Sequence, residues 1–349
     1  MAQIRKLILS IDGGGIRGLI AVRILQALES RLRQRSVNTP LCSIFDLICG
    51  TSCGGIIAAG LTAPNPDGVP GKPAASLADL RGFFEDEGSE IYRPSLPMRL
   101  RRLIVSGTGL FDETYDARPL EKRLQVRLGW ASLQSALTRV VLTAYDIESR
   151  RPVFLSNCRT PDGSEADDFL FWQAARATSA TPTFFEPALI DNLTARTQLC
   201  LIDGGLVANN PAMTAYTQGL RLGWKPEEIL LVSIGTGTTE DQPIAHETAA
   251  GWGGLDWINP VRGAPLLSIL FDAQAAVSAD QADRLLNRDG ATRYVRINGK
   301  LPKDSSRMDD ARPGAIRRLN EVADRFIRDN AVSLDFIAET ACDAKFLDA

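Results

Sequence analysis

The sequence predicts an α/β fold in which a mainly parallel sheet is covered by helices on both faces. Short, mostly apolar runs recur along the chain, and segments with apolar residues at helical spacing lie between them. Two of the apolar runs end in glycine-rich turns that lead directly into a helical pattern. Strands that alternate with helices in this way imply a parallel sheet, because the helices connect the strands and cover the faces.

The first strand and the first helix flank a triple glycine. Residues 6–11 form a short apolar run that stops at an Asp-Gly-Gly-Gly turn at residues 12–15. Residues 16–35 then predict a helix, because apolar side chains recur at helical spacing at Ile20, Ile24, Leu28 and Leu32.

The second unit repeats this order with a serine in the turn. Residues 45–49 are apolar, residues 50–54 form a glycine-flanked turn, and residues 56–60 are small or apolar, as in a closely packed helix. Further strand-like runs lie at residues 139–144, 199–202, 229–234 and 294–297.

The last third of the chain predicts one strongly amphipathic helix. Pro313 suits the first turn of this helix, and one face carries the apolar residues Ile316, Leu319, Val322 and Phe326. Residues 63–76 and 237–265 are the predicted loops, and neither is long or polar enough to separate independent domains. We therefore expect a single domain over residues 1–349.

Composition and charge exclude several classes of protein. The chain has 349 residues, of which 44% are hydrophobic and 23% charged, as in an ordinary soluble enzyme. A formal net charge of -3 provides no overall basic field, which disfavours nucleic-acid polymers as partners. The sequence lacks a signal-peptide pattern and an apolar run of the roughly 18 residues that a membrane span needs. A cytoplasmic protein is the expectation.

The cysteines do not predict a metal site. The six cysteines are scattered without a Cys-x-x-Cys pair, and the chain has a single histidine, His246. We therefore expect neither a disulfide framework nor a bound metal or other cofactor.

Ser52 is the candidate nucleophile. It lies in Gly-Thr-Ser-Cys-Gly at residues 50–54, and this Gly-x-Ser-x-Gly spacing lets a sharp strand-to-helix turn lift the serine hydroxyl clear of the sheet. A serine needs a base, and a chain with one histidine suggests a carboxylate in that role. Asp203, which follows an apolar run and precedes two glycines, is the candidate base.

The triple glycine is the candidate oxyanion hole. The backbone N–H groups of Gly13, Gly14 and Gly15 stand at the start of a helix, where they can stabilise a developing negative charge. Residues 13–18 also fit Gly-x-Gly-x-x-Gly, the dinucleotide-binding fingerprint, but no acidic residue follows at the expected distance. Arg17 is expected to reinforce this positive site or to contact a lipid phosphate, and the alternative is a solvated residue of the first helical turn.

Apolar residues near the two catalytic candidates are expected to bind the substrate. Phe184 and Phe185, together with Leu206 and Val207, are candidates for an acyl pocket, with core packing as the alternative. Residues 91–104 interleave arginines, among them Arg99, Arg101 and Arg102, with apolar residues. Such a segment suits peripheral contact with an anionic bilayer, and the alternative is a partly buried helix with a solvated basic edge.

Three ordered blocks resemble the signature blocks of the patatin-like phospholipases. They are residues 12–18, 50–54 and 203–205, and further counterparts lie at residues 177–185, 209–211, 233–237 and 308–311. The resemblance spans nearly the whole chain. It implies a three-layer α/β/α sandwich and acyl-ester hydrolysis of lipids.

The resemblance also implies roles for single residues. It assigns a catalytic dyad to Ser52 and Asp203 and an oxyanion hole to the glycine loop. The backbone N–H of Cys53 would be the second oxyanion donor. Some bacterial members of the family are anti-phage effectors activated by cyclic nucleotides, and the compact chain is compatible with this, although no residue demonstrates it.

Two further functions stay open at this point. Ser52, Asp203 and His246 occur in the chain order of α/β-hydrolase triads, so a triad esterase is one alternative. A nucleotide-binding or sensing protein without turnover is the other. The sequence does not assign the lipid head group, the acyl position cleaved or the oligomeric state.

Overall fold

A computed structural model describes residues 3–93, 114–158, 167–259 and 263–346. Within these segments, eight strands form one sheet. The strands are β1 (Lys6–Ile11), β2 (Leu47–Gly50), β3 (Arg139–Asp146), β4 (Arg151–Ser156), β5 (Ala188–Asn192), β6 (Thr197–Asp203), β7 (Ile229–Ile234) and β8 (Tyr294–Ile297).

The α-helices of the described segments connect and cover these strands. They are α1 (Gly18–Gln34), α2 (Leu41–Ile44), α3 (Cys53–Thr62), α4 (Leu77–Glu85), α5 (Gly88–Ile91), α6 (Arg118–Leu128), α7 (Phe171–Thr178), α8 (Gly205–Ala208), α9 (Ala212–Arg221), α10 (His246–Ala249), α11 (Gly254–Ile258), α12 (Pro265–Leu286), α13 (Pro313–Asp329) and α14 (Ala331–Phe346). Short 3-10 helices lie at Gly15–Arg17, Leu133–Ser135, Pro226–Glu228 and Lys303–Ser305.

The sheet is mixed, with a parallel part and an antiparallel part. The hydrogen-bonded path runs β5-β6-β3-β2-β1-β7-β8, and β4 also pairs with β3. The strands β3, β2, β1, β7 and β8 are mutually parallel, whereas β4, β5 and β6 form antiparallel pairs. The predicted parallel sheet is therefore confirmed for five consecutive strands, from β3 to the edge strand β8.

The ends of β2 and β6 meet on the same edge of β3. The strand β4 pairs with residues 141–146 of β3, while β2 pairs with residues 139–142 and β6 with residues 144–146. A strand has only two edges, so β2 and β6 must share the edge that β4 leaves open. Because they run in opposite directions, their C-terminal ends face each other across Thr143.

Apolar residues of β1 alternate between two cores, one on each face of the sheet. Leu7 and Leu9 belong to the larger core under α1, α3 and the C-terminal helices. Ile8 belongs to the smaller core, which includes residues of α9 and α12. Helices on both faces of one sheet confirm the predicted three-layer α/β/α architecture.

Several elements were not predicted from the sequence, among them two antiparallel strands and two short helices in a predicted loop. β4 and β5 lie where no strand was expected, and α10 and α11 lie inside the predicted loop 237–265. The amphipathic helix is confirmed as α13, with Pro313 in its first turn. Four of the six free cysteines are buried in the described structure, as small apolar residues would be.

In the part of the chain that the structure describes, no helix has the length and apolar character that crossing a bilayer requires. Arg99, Arg101, Arg102 and the rest of residues 94–113 lie outside the described residues.

Candidate active site

Ser52 stands on a strained turn between β2 and α3. Its backbone has φ 54° and ψ -124°, a conformation that a residue with a side chain rarely adopts. Only glycine fits at the two flanking positions, because a side chain there would collide with neighbouring backbone atoms. A Cβ on Gly50 would lie 2.2 Å from the Gly54 carbonyl oxygen, and a Cβ on Gly54 would lie 2.3 Å from the Ile11 carbonyl oxygen. The predicted nucleophile turn is therefore present.

Ser52 and Asp203 contact each other directly. The Ser52 hydroxyl donates a hydrogen bond to Oδ2 of Asp203 over 2.8 Å. The meeting of β2 and β6 explains this contact, because Asp203 is the last residue of β6 and pairs with Ala144 of β3. Gly204 continues the chain past Thr143, where a Cβ would lie 2.0 Å from the threonine hydroxyl oxygen.

The Asp203 carboxylate is buried and fully hydrogen-bonded. Its exposed fraction is 0%. Oδ2 also accepts a hydrogen bond from the Thr181 hydroxyl at 2.5 Å, and Oδ1 accepts one from the Gly205 N–H at 2.7 Å. Burial raises the pKa of Asp203 from 3.8 to about 6, against the opposing effect of these hydrogen bonds. A carboxylate of this kind is a stronger base than an exposed aspartate.

Two of the three loop glycines present free N–H groups. Among the described residues, no hydrogen-bond acceptor contacts the N–H groups of Gly14, Gly15 or Cys53. The N–H of Gly13 instead donates to the Asn209 carbonyl oxygen at 3.0 Å. Gly13 is therefore not an available oxyanion donor, which corrects the prediction for that residue.

The glycine loop is closely enclosed by residues far along the chain. A Cβ on Gly14 would lie 2.3 Å from the Thr236 hydroxyl oxygen, and one on Gly15 would lie 2.1 Å from the Met308 carbonyl oxygen. Gly15 also has φ +59°, which favours glycine. The Thr236 hydroxyl donates to the Gly13 carbonyl oxygen at 2.7 Å. These contacts leave the loop little freedom.

A buried ion pair holds the residue before the loop. Arg296 of β8 donates to both carboxylate oxygens of Asp12, at 2.8 and 2.5 Å, and to the Ser233 hydroxyl at 2.8 Å. Asp12 follows β1, and Ser233 lies on the neighbouring β7. The ion pair therefore ties the loop to the two strands beside it.

Arg17 supports the loop from within the protein. It is buried, and its guanidinium donates to the carbonyl oxygens of Gly14 at 3.3 Å and Ser306 at 3.4 Å. The alternative of a solvated side chain is therefore wrong, because Arg17 is buried in the closely packed loop. Contact of Arg17 with a lipid phosphate stays a prediction.

An apolar cavity opens beside Ser52. It is lined by Phe184, Phe185 and Phe271, and all three also belong to the larger core. The other lining residues are Gly14, Gly15, Ile16, Ser52, Cys53, Ile56, Phe83, Phe84, Gly88, Ile91, Tyr92, Leu120, Ser179, Thr181 and Met308. Leu206 and Val207 do not line it, and Leu206 packs against the larger core instead.

His246 is remote from this arrangement. It is an exposed residue at the start of the four-residue helix α10 and does not line the cavity. The Ser52 hydroxyl is already engaged by Asp203. Over the described residues, no group of three histidine, cysteine, aspartate or glutamate side chains could hold a metal ion.

The sequence analysis gave no role to four residues that build the site, although three of them lie in blocks that resemble the family. Thr178 accepts a hydrogen bond from the Ser52 N–H at 3.0 Å, Thr181 contacts Asp203, and Asn209 and Arg296 hold the glycine loop. The sequence offered one indication for Arg296. It is a charged residue inside a predicted strand, and a charged side chain buried in a strand usually has a charged or hydrogen-bonding partner.

The comparison with known proteins agrees with this geometry. The model of the Patatin-like phospholipase family matches residues 9–216, which include β2, the serine turn and Asp203. The chain belongs to the patatin-like phospholipase family. Membership supports lipid acyl hydrolysis as the activity.

Plant patatins align with nearly all of the chain. Patatin-like protein 2 of Arabidopsis thaliana is 31% identical over 346 residues, which cover 92% of this chain and 82% of the relative. Patatin-17 of Solanum cardiophyllum is 28% identical over 92% of this chain and 83% of its own. The potato protein named probable inactive patatin-3-Kuras 1, from Solanum tuberosum, is 29% identical over 92% of this chain and 86% of its own.

Among solved structures, VipD from Legionella pneumophila matches with a TM-score of 0.41 and 13% identity. The match covers 93% of this chain and 68% of VipD.

Proposed function

We propose that this patatin-like protein hydrolyses fatty-acyl esters of phospholipids through a Ser52-Asp203 dyad. The observation that carries the proposal is the 2.8 Å hydrogen bond between the Ser52 hydroxyl and the buried Asp203 carboxylate, beside an apolar cavity. Nucleophile, base and acyl-binding space are thus adjacent, as acyl transfer requires.

In the first step, the Ser52 oxygen attacks the ester carbonyl carbon. Its proton moves to Oδ2 of Asp203, the oxygen that already accepts the hydrogen bond. The carbonyl electron pair moves onto oxygen, and the N–H groups of Gly14, Gly15 and Cys53 stabilise that charge. One such donor can lower the barrier by about 3 kcal/mol.

The tetrahedral intermediate then releases the alcohol. The bond from carbon to the leaving oxygen breaks, and Asp203 returns the proton to that oxygen. Water next attacks the acyl-enzyme and gives its proton to Asp203. When the bond between carbon and the Ser52 oxygen breaks, Asp203 protonates the serine and the fatty acid leaves. The carboxylate acts alternately as base and acid, which suits its pKa of about 6.

The cavity favours an apolar acyl group. Its wall includes the aromatic residues Phe184, Phe185 and Phe271, and most of the other residues that line it are apolar. An anionic or nucleotide ligand would find few polar partners there. The substrate is therefore a lipid ester, and transient contact with a membrane surface would deliver it.

The test compares the wild-type protein with Ser52→Ala and Asp203→Asn. Each variant should lower ester turnover by at least about a thousandfold, and the double variant should be no worse than the single ones, because the two groups act in one step. Fatty-acid release from mixed phospholipid vesicles and turnover of a soluble short-chain ester are the measurements. A cyclic-dinucleotide panel in parallel assays tests activation, which the sequence left open.

Ser179→Ala is the matched control. Ser179 lines the same cavity, but its hydroxyl donates to the Ala175 carbonyl oxygen rather than to a carboxylate. It should keep most of the turnover. A fluorophosphonate probe should label the wild-type protein at Ser52. Near-normal turnover in Asp203→Asn would contradict the dyad, and activity that survives in Ser52→Ala would contradict hydrolysis by this site.

A further inference from the structure

We infer that Thr181 is a positioning residue that holds the Asp203 carboxylate for proton transfer from Ser52. The inference rests on the proposed dyad and adds a third side chain to it. Thr181 carries out no bond-making step. It acts through Asp203, and neither the sequence motifs nor the family match assigns it this role.

The geometry of the carboxylate supports this role. Oδ2 of Asp203 accepts hydrogen bonds from two hydroxyls, Ser52 at 2.8 Å and Thr181 at 2.5 Å. Oδ1 is held by the Gly205 N–H at 2.7 Å. Ser52 must leave its bond when it attacks the substrate. Thr181 and Gly205 then remain as the two contacts that prevent the carboxylate from rotating.

The main chain around Thr181 is fixed, so its hydroxyl has a defined direction. The Thr181 carbonyl oxygen accepts hydrogen bonds from the N–H groups of Phe184 and Phe185, both at 3.0 Å. The Asp203 N–H donates to the Ala180 carbonyl oxygen at 3.0 Å, which joins this segment to the end of β6. Thr181 is 7% exposed, so little water can replace its hydroxyl.

The same contact stabilises the charged form of Asp203. Burial raises the pKa of this carboxyl to about 6, and the Thr181 hydrogen bond is the largest influence in the opposite direction. A hydroxyl that donates to a carboxylate favours ionisation. Removal of the Thr181 hydroxyl should therefore raise the pKa of Asp203 and leave less of the base ionised near neutral pH.

The experiment measures kcat/KM for a soluble short-chain ester between about pH 4 and pH 9 in three proteins. In the wild type, the acid limb should fall near the Asp203 pKa of about 6. In Thr181→Val, which keeps the shape but loses the hydroxyl, the limb should move up by about one pH unit, the size expected for a charge-assisted hydrogen bond. In Thr181→Ser it should stay at the wild-type position.

Thr62→Val is the matched control for loss of a buried hydroxyl. The Thr62 hydroxyl donates to the Ala58 carbonyl oxygen inside α3, and Thr62 does not line the cavity. Its acid limb should coincide with that of the wild type. Thermal unfolding checks that each variant is folded, and Thr181→Ala replaces Thr181→Val if the latter is not.

The outcomes separate this inference from the proposed function. If Ser52→Ala abolishes turnover while the Thr181→Val profile matches the wild type, the positioning role is wrong and the dyad stands. The positioning role is also wrong if the acid limb of Thr181→Ser shifts as far as that of Thr181→Val. If Ser52→Ala keeps its turnover, the proposed function itself fails. A shift in Thr181→Val alone, with kcat reduced more than KM is raised, supports the inference.

Discussion

At the scale of single residues, the proposed dyad needs no histidine because Asp203 is buried. A triad uses an imidazole because an exposed carboxylate is too weak a base for an alcohol. Here burial of Asp203, which is 0% exposed, raises its pKa toward neutrality. In the proposed mechanism, the carboxylate therefore takes the Ser52 proton directly.

We expect His246→Ala to keep ester turnover within about threefold of the wild type, which corresponds to less than about 1 kcal/mol of barrier. The exposed His246 touches neither Ser52 nor the cavity. Turnover of a soluble ester is the measurement. A loss beyond about a hundredfold in a folded protein would favour the triad over the dyad.

Sequence reasoning found Ser52 and Asp203 because each sits in a local motif. It could not find Thr181 or Arg296, because their partners lie 22 and 284 residues away in the chain. It also left a solvated Arg17 open, since an arginine beside a glycine loop gives no sign that packing will bury it. Contacts between segments that are far apart in the sequence determine the surroundings of Thr181, Arg296 and Arg17.

At the scale of elements, a search of the sequence for runs of apolar residues finds those strands that are buried on both faces. All six residues of β7 are buried, and β7 was predicted. In β5, buried and exposed residues alternate, and three of the six residues of β4 are exposed, so neither strand is a long, fully buried apolar run. Both missed strands belong to the antiparallel part of the sheet, together with β6.

The ion pair between β8 and the glycine loop gives a prediction at this scale. Arg296→Met leaves the buried Asp12 carboxylate without its cation, which should lower the free energy of unfolding by about 3 kcal/mol. Adding Asp12→Asn should recover part of that loss. Chemical denaturation provides the measurement.

The control for this prediction is Arg284→Met, which breaks the exposed pair of Arg284 with Asp280 on α12. It should change stability little, because exposed ion pairs contribute little. If Arg296→Met were equally harmless, the Asp12 pair would not be what holds the loop.

At the scale of the whole molecule, the buried Asp203 carboxylate lowers stability. The folded protein holds the pKa of Asp203 at about 6, compared with the usual 3.8. Between these pH values the folded state binds more protons than the unfolded state, so stability falls as pH rises through this window. Asp203→Asn removes the effect.

Asp203→Asn should therefore be more stable than the wild type at pH 7, by roughly 2 to 3 kcal/mol. Near pH 4 the two proteins should differ little. Denaturation at both pH values is the measurement, and Ser52→Ala, which keeps the carboxylate, is the control. An Asp203→Asn protein less stable than the wild type at pH 7 would contradict this account.

The enclosure of the glycine loop also has a consequence for biosynthesis. Residues 13–15 are synthesised well before Thr236, Arg296 and Met308, which fix the loop. A nascent chain that already contains Ser52 and Asp203 still lacks these three contacts. Esterase competence should therefore arise only after Met308 has left the ribosome, and a shorter nascent fragment should not hydrolyse lipids.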